Sequence, residues 1–245
     1  MTRATGAQFR TGAHPFTNQG SLIASGTGGI QFVAGNLSNA GTVAVQSGSN
    51  LTVTAGQYIQ TSGSTNITSG TLNASGVSIQ SGIFSGSGTV GSAVTNSGLL
   101  HPIQSLTLTG DLTLTGSSTI LFDLGGSAPV TGYDTLSAPG ATLGGSLDLT
   151  FTNGYQSTVS PSTTFTLITA SGGLSGQFAG ISNGSTVDTT DGLGAFTVSY
   201  LPTSLVISDF TPVPEPSAAS LVGVGGVLLA AAGVARRRFR LIPSR

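Results

Sequence analysis

The amino-acid sequence predicts an all-β fold: a parallel β-helix (β-solenoid) with a β-rich C-terminal cap, followed by a single C-terminal transmembrane-type helix. Three observations predict this architecture. A turn phrase recurs at about twenty-residue intervals, turn residues fall every six or seven positions between its copies, and one long apolar run stands near the C-terminus. A β-sandwich is the alternative for the body, because short strands at regular spacing occur in both folds.

The composition excludes several kinds of function. The 245 residues include no cysteine, which excludes disulfides, thiolate metal sites and cysteine nucleophiles. Only 6% of the residues are charged, lysine is absent, and residues 1–212 carry two arginines against seven aspartates. Such a body cannot neutralise a phosphate backbone, so we expect no nucleic-acid partner.

The N-terminal end, residues 1–16, is predicted to be disordered. Residues 1–20 contain no apolar core of the length that a secretory signal peptide requires. The C-terminal features described below point to export. We therefore expect either that the true start lies upstream or that the chain is a fragment of a longer gene product.

Residues 17–124 are predicted to form the coils of the solenoid. The phrase Asn18-Gln-Gly-Ser-Leu22 returns as Asn39-Ala-Gly-Thr-Val43 and as Asn96-Ser-Gly-Leu-Leu100, each time a turn followed by a short apolar strand. Glycine, asparagine and serine suit the corners because they tolerate a left-handed backbone or satisfy it locally. About three turns per repeat predict coils with three short faces.

Side-chain alternation is clearest at Leu106-Thr-Leu108-Thr-Gly110-Asp111-Leu112-Thr-Leu114. All four leucines share parity, so they are expected on one side of their strands and the threonines on the other. In the sandwich alternative, Gly110-Asp111 would be the tight turn of a hairpin.

Residues 125–210 are predicted to form a β-rich region that continues or caps the solenoid. Its phrases include Gly132-Tyr133-Asp134-Thr-Leu136, residues 141–149, Gly154-Tyr155 and residues 164–170. In series, these phrases resemble the segment that closes autotransporter-type passenger domains and related bacterial surface β-helix proteins. The resemblance brings no catalytic residue with it. It implies that larger side chains fill this region, namely Tyr133, Phe151, Phe165, Phe178 and Phe196.

The C-terminus is predicted to hold a linker at 211–217, a transmembrane helix at 218–235 and a basic cytoplasmic tail at 236–245. Residues 218–235 are uncharged and would form a helix about 27 Å long, enough to cross a bilayer core. By the positive-inside rule, the arginines that follow would orient this segment with the body outside. These topology anchors are Arg236, Arg237, Arg238 and Arg240.

A Pro-Glu-Pro triplet, an apolar helix and a terminal basic cluster, in this order, resemble the PEP-CTERM sorting signal of exported bacterial proteins. The motif residues are Val213, Pro214, Glu215 and Pro216. The resemblance implies a Gram-negative host and an exosortase-type membrane protease as partner. It also implies residence in the inner membrane during sorting, then display on the cell surface or in an exopolysaccharide-containing matrix. An ordinary membrane anchor is the alternative.

No catalytic, cofactor-binding or metal-binding residue is predicted. The glycines of residues 86–91 have the spacing of a dinucleotide fingerprint, but the residues that follow do not predict the helix that such a site needs. His14 and His101 are the only histidines and are expected to be exposed and structural. Asp188 and Asp191 form the one local acid pair, which offers too few oxygens for a calcium site.

These features favour a non-enzymatic protein, an exported structural component of the cell surface or extracellular matrix. A surface adhesin that binds glycan or protein along a solenoid face is the alternative, and exposed aromatic side chains clustered on one face would favour it. A polysaccharide-active enzyme is the third hypothesis. It would need converging carboxylates, which the scattered aspartates do not predict.

Overall fold

A computed structural model describes residues 2–4, 7–10, 14–33 and 35–213. Within them the regular secondary structure is β-strand, apart from one 3₁₀ turn at Tyr155–Ser157. The prediction of an all-β body without a long helix is confirmed for this part of the chain, where no helix is long and apolar enough to span a membrane. The predicted helix at 218–235 lies outside the described residues.

The strands, numbered in chain order, form three sheets. Sheet 1 contains β1 (Thr2–Ala4), β4 (Ser21–Ala24), β7 (Thr42–Val45), β10 (Ser64–Ile67), β13 (Ile83–Gly86), β16 (Leu99–Pro102), β19 (Thr119–Leu124) and β22 (Ser146–Phe151). Sheet 2 contains β2 (Ala7–Arg10), β5 (Ile30–Val33), β8 (Asn50–Val53), β11 (Thr71–Asn73), β14 (Thr89–Val90), β17 (Ser105–Leu108), β20 (Thr135–Ala138) and β23 (Phe165–Ala170), then β27 (Ser204–Pro212), β26 (Gly194–Leu201) and β25 (Thr186–Asp188). Sheet 3 contains β3 (Phe16–Asn18), β6 (Leu37–Asn39), β9 (Tyr58–Gln60), β12 (Val77–Ile79), β15 (Val94–Asn96), β18 (Leu112–Leu114), β21 (Ala141–Leu143) and β24 (Leu174–Gly176).

The connectivity is that of a parallel β-helix. From β1 to β24, consecutive strands enter sheets 1, 2 and 3 in rotation. Each strand from β1 to β21 pairs in parallel with the strand three positions further along. In the sandwich alternative, consecutive strands would pair as hairpins. Here β17 and β18 lie in different sheets, so Gly110-Asp111 is a corner between sheets.

Parallel stacking extends beyond residues 17–124 in both directions. β1 and β2 pair with β4 and β5, so strands occupy part of the end that we expected to be disordered. Their backbone groups find hydrogen-bond partners on the next coil. At the other end, parallel pairing continues as far as β24. The closing region therefore continues the solenoid before it caps it.

The side-chain alternation follows the prediction. Leu106, Leu108, Leu112 and Leu114 are at most 3% exposed, whereas the threonines between Leu106 and Leu108 and between Leu112 and Leu114 are exposed. The inward side chains of successive coils form one hydrophobic core. Burial of this apolar surface is the main favourable term in folding.

The corner between sheets 3 and 1 explains the recurring Asn-x-Gly phrase. Asn18, Asn39 and Asn96 end their strands with buried side chains and lack the left-handed backbone that we expected at corners. Asn18 Nδ2 donates to Asn39 Oδ1 at 2.8 Å, and Asn39 Nδ2 donates to the Ser64 carbonyl of the next coil at 3.2 Å. Oδ1 of Asn39 and of Asn96 accepts the N–H of the following glycine of the phrase. The buried side-chain amides thus provide hydrogen-bond partners for backbone groups of the turn that water does not reach.

Stacked glycines complete this corner. A Cβ on Gly41, Gly63 or Gly82 would overlap the carbonyl oxygen of the corner glycine one coil earlier. Gly63 and Gly82 also have φ angles of 68° and 78°, in the left-handed region that favours glycine. Close stacking of the coils therefore requires glycine at these positions.

The cap of the solenoid is antiparallel and rich in buried aromatic rings. β23 pairs antiparallel with β27, and β25 with β26. The Phe165 ring packs edge-on against Tyr133, with centroids 5.0 Å apart, and against Phe196 at 5.6 Å. The prediction that large side chains fill this region is confirmed, since all five are at most 8% exposed: Tyr133, Phe151, Phe165, Phe178 and Phe196.

Candidate functional site

The predicted sorting motif lies at the limit of the described residues. Val213 follows β27, and it is 54% exposed. The remaining motif and anchor residues lie outside the described part of the chain, so their roles stay predictions. These residues are Pro214, Glu215, Pro216, Arg236, Arg237, Arg238 and Arg240.

His101, Asp123 and Asp134 form a cluster, here named the corner triad, where the chain passes from sheet 1 to sheet 2. His101 lies on the outer side of β16, Asp123 on the outer side of the adjacent β19, and Asp134 immediately precedes β20. His101 Nε2 is 3.3 Å from Asp123 Oδ2 and 3.5 Å from Asp134 Oδ2. The expectation of an exposed His101 is wrong, since its side chain is 21% exposed, and that of Asp134 only 8%.

Backbone donors hold the carboxylate of Asp134. Its Oδ1 accepts the N–H of Gln104 at 2.6 Å, and its Oδ2 accepts the N–H of Asp123 at 2.9 Å. Gln104 has a left-handed φ of 63°, and its carbonyl accepts the N–H of Thr135 at 2.9 Å. Asp134 therefore ties the corner after β16 to both β19 and β20.

Asp134 reaches the corner triad because the chain leaves the coil after β19 and then returns. Within this connection the Gly125 N–H donates to the Gly132 carbonyl at 2.7 Å, and the Asp134 N–H donates to the Asp123 carbonyl at 3.0 Å. The returning loop places two aspartates that are 11 positions apart side by side. In the sequence the two aspartates are simply separate acidic residues. The one available signal was that the repeat pattern of the coils changes after Asp123.

The charge of the corner triad has no permanent counterion nearby in the sequence. Lysine and arginine are absent from residues 11–235. The polar contact with the Asp123 carboxylate, and then that with Asp134, raises the pKa of His101 to about 9, although partial burial opposes the rise. Neither contact has the geometry of a hydrogen bond, and the Nε2 atom is buried without a hydrogen-bond partner. The interaction is therefore an ion pair of close charges.

The serine that pairs in register with His101 has its hydroxyl bonded to other groups. Ser85 lies directly across from His101 on the adjacent β13. Its hydroxyl donates to the Thr65 carbonyl at 3.4 Å and accepts from Asn66 Nδ2 at 3.1 Å. Asp111, the next acidic residue after His101 in the sequence, lies at the corner before β18. These contacts assign no catalytic role to His101.

Of the remaining candidates, Gly86 and Asp191 have structural roles. A Cβ on Gly86 would overlap the Ile67 carbonyl oxygen of the previous coil, so close coil packing explains this glycine of the dinucleotide-like spacing. The Asp191 carboxylate accepts the N–H of Phe151 at 2.8 Å and that of Leu193 at 3.1 Å, which closes a turn in the cap. Asp188 and His14 are exposed.

We expect the corner triad to stabilise the protein below neutral pH and to lose this effect in alkali. A histidine whose pKa is raised to about 9 contributes its full stabilisation below its unfolded value near 6.5, and the contribution disappears as the pH rises through 9. In EDTA, the free energy of unfolding of His101→Gln should therefore be lower than that of the wild type at pH 6 and equal to it at pH 10. Urea denaturation measures both.

His14→Gln is the control, because it removes the other histidine without touching the corner triad. Besides the two triad carboxylates, Asp148 on β22 has its side chain on the same face of sheet 1, and burial raises its pKa. Asp148→Asn should leave the alkaline transition in place. A pH-independent difference between His101→Gln and the wild type would contradict the ion-pair account.

Comparison with known proteins provides no family assignment: no protein-family model matches the chain, and no curated protein matches it significantly.

Proposed function

We propose that the chain is an exported structural protein of the cell surface or extracellular matrix, sorted by a C-terminal signal of the PEP-CTERM type. The observation that carries the proposal is the order of the motif at 213–216, the uncharged run at 218–235 and the arginine cluster at 236–240. The β-helix body is consistent with it, because parallel coils paired from β1 to β24 form a continuous scaffold.

The outer face of sheet 3 suits a structural role in a hydrated matrix. Register places one outward residue per coil in a column, seven of its eight members carry a hydroxyl and none is charged: Thr17, Ser38, Ile59, Ser78, Thr95, Thr113, Thr142 and Ser175. Adjacent strands lie about 4.8 Å apart, and the hydroxyls of Thr142 and Ser175 are within hydrogen-bond distance at 3.2 Å. This face can hydrogen-bond to water or to polysaccharide hydroxyls without attracting ions.

In the proposed sorting mechanism each part of the C-terminus has one physical role. Pro214 and Pro216 restrict the backbone to extended conformations, which present Glu215 to a protease outside the membrane. The run at 218–235 holds the precursor in the inner membrane of a Gram-negative cell, and the following arginines keep their end cytoplasmic. An exosortase-type protease then releases the body to the surface or the exopolysaccharide matrix.

We expect the mature surface protein to lack residues 236–245 in a host that has such a protease. Replacing both prolines, Pro214→Ala with Pro216→Ala, should leave the uncleaved chain in the inner membrane, because the segment can then adopt helical structure. Intact mass and peptide mapping of the surface and membrane fractions measure the outcome. Pro202→Ala, at the turn between β26 and β27, is the matched control and should be processed normally.

Two results would contradict this mechanism. Arginine-containing C-terminal peptides on mature surface protein would show that the segment is a plain anchor. Normal processing of the double proline variant would show that the triplet does not present the cleavage site.

A second candidate function is a surface adhesin that binds neutral glycan along sheet 3. The hydroxyl column favours it, because its regular spacing offers repeated hydrogen-bond partners to a polymer. Among the side chains that the structure describes, the aromatic rings are buried or half-buried, so binding would rely on hydroxyl groups and not on exposed stacking platforms. Retention of purified exopolysaccharide by the immobilised protein would distinguish an adhesin from a passive scaffold.

A further inference from the structure

We propose that the corner triad of His101, Asp123 and Asp134 binds a divalent transition-metal ion, with Zn²⁺ as the best match. The inference goes beyond the proposed structural role, and the sequence predicted no metal site. One imidazole nitrogen and two carboxylate oxygens are donors that zinc accepts, and their ligand atoms all lie within 4.8 Å of one another. Among the described residues, no other group of histidine and acidic side chains meets this spacing.

The distances fit a shared ion. Two donors about 2.0–2.1 Å from one zinc ion, at a tetrahedral angle, are about 3.4 Å apart. His101 Nε2 lies 3.3 Å from Asp123 Oδ2 and 3.5 Å from Asp134 Oδ2. The Nε2 atom is buried, yet it makes a proper hydrogen bond to neither oxygen. A ring nitrogen close to two carboxylates but aligned with neither is the arrangement expected when its lone pair is directed at an ion between them.

The charges also fit. Two carboxylates and a neutral imidazole carry a charge of about −2, which a divalent ion cancels, and residues 11–235 provide no lysine or arginine to do so. A proton on Nε2 competes with the metal ion, because it blocks ligation by this nitrogen. The proton neutralises only part of the negative charge. An oxygen-seeking ion such as Ca²⁺ is a poorer match, since calcium takes six to eight oxygen ligands and the corner triad includes a nitrogen.

Part of the site is rigid, and part is open. Backbone N–H groups of Gln104 and Asp123 fix the Asp134 carboxylate, as hydrogen-bond donors behind a metal ligand commonly do. The Asp123 side chain is 35% exposed, which leaves a position for water or an outside ligand. A bound ion would join β16, β19 and the start of β20, and so close the corner that the returning loop interrupts.

Calorimetric titration tests the proposal. The full chain, in mild detergent and without a histidine tag, is stripped with EDTA and titrated with ZnCl₂ at neutral pH. We expect one zinc ion per chain, with affinity reduced at least about tenfold in His101→Gln and in Asp123→Asn. His14→Gln and Asp148→Asn, which remove a histidine and a carboxylate outside the corner triad, should bind as the wild type does. Circular dichroism verifies that each variant is folded.

A second measurement needs no variant that could misfold. Co²⁺ bound in place of Zn²⁺ should give visible absorption typical of nitrogen and oxygen ligation, and added Zn²⁺ should abolish it. Saturable zinc binding that survives both His101→Gln and Asp123→Asn would overturn the proposal, as would the absence of saturable binding at millimolar ZnCl₂. Neither result would bear on sorting of the C-terminus, which is measured separately.

Discussion

Gly63→Ala is expected to destabilise the solenoid by about 2–5 kcal/mol. A left-handed backbone costs an L-residue about 1–2 kcal/mol, and forcing extra atoms into a packed region adds about 1–3 kcal/mol. Both terms apply at Gly63, which has a φ of 68° and whose Cβ would overlap the Gly41 carbonyl oxygen of the previous coil. Urea denaturation followed by far-UV circular dichroism measures the loss.

Gly48→Ala is the matched control. Gly48 has a φ of 70°, nearly the same as Gly63, but a Cβ there would meet no atom within 4 Å. Its substitution should cost only the conformational term, about 1–2 kcal/mol. The difference between the two variants isolates the cost of separating the stacked coils. Equal destabilisation of both variants would show that the stacked coils can accommodate a Cβ at Gly63 at no extra cost.

The positions of strands and corners could be predicted because their causes are local. The Ser-Gly pairs at 62–63 and 81–82 belong to the turn residues that recur every six or seven positions, and β10 and β13 follow them at once, as predicted. Their alternation with threonine predicted that the leucines of β17 and β18 lie on one side of their strands. A residue's tendency to turn, and the alternation of a strand, depend on a few neighbours and can be read from one sequence.

The roles of the polar residues could not be predicted in this way. Asparagine was expected at the corners because it tolerates a left-handed backbone or satisfies it locally. The Asn39 side chain is instead buried and bonds to the coils before and after it. The pairing of His101 with Asp123 and Asp134 depends on the path of one returning loop. Sequence spacing of about twenty residues predicts the coils, but it contains no information about a connection that departs from that spacing.

Most of the described features of the body are explained by the fold alone, but two surface features are not. Buried asparagines, stacked glycines and aromatic rings explain the described coils and cap without any appeal to chemistry on a substrate. The hydroxyl column of sheet 3 and the corner triad are different. The fold does not require an uncharged outer face, and although the Asp134 carboxylate ties the corner, the fold does not require a second carboxylate, that of Asp123, beside it. These two surface features are therefore where a binding function should be sought.

Phe165→Ala is expected to cost about 3–5 kcal/mol, the usual range for deleting a buried phenylalanine side chain. Phe165 is fully buried in β23, at the junction between the parallel coils and the antiparallel cap. Its ring packs edge-on against both Tyr133 and Phe196. Thermal and urea unfolding should both detect the loss. Phe165→Leu fills most of the same volume and should cost about 1.5 kcal/mol or less.

The junction has a second expected effect, because the cap covers a strand edge. Where β27 detaches from β23, the last parallel strand of sheet 2 presents unpaired N–H and carbonyl groups, which favour pairing with another chain. Phe165→Ala should therefore raise the average mass measured by light scattering at denaturant concentrations below the unfolding midpoint, and Phe165→Leu should not. Since Tyr133 precedes Asp134, the alanine variant should also weaken zinc binding at the corner triad. A stable, monodisperse Phe165→Ala protein would show that backbone pairing between β23 and β27 holds the cap without the aromatic contacts.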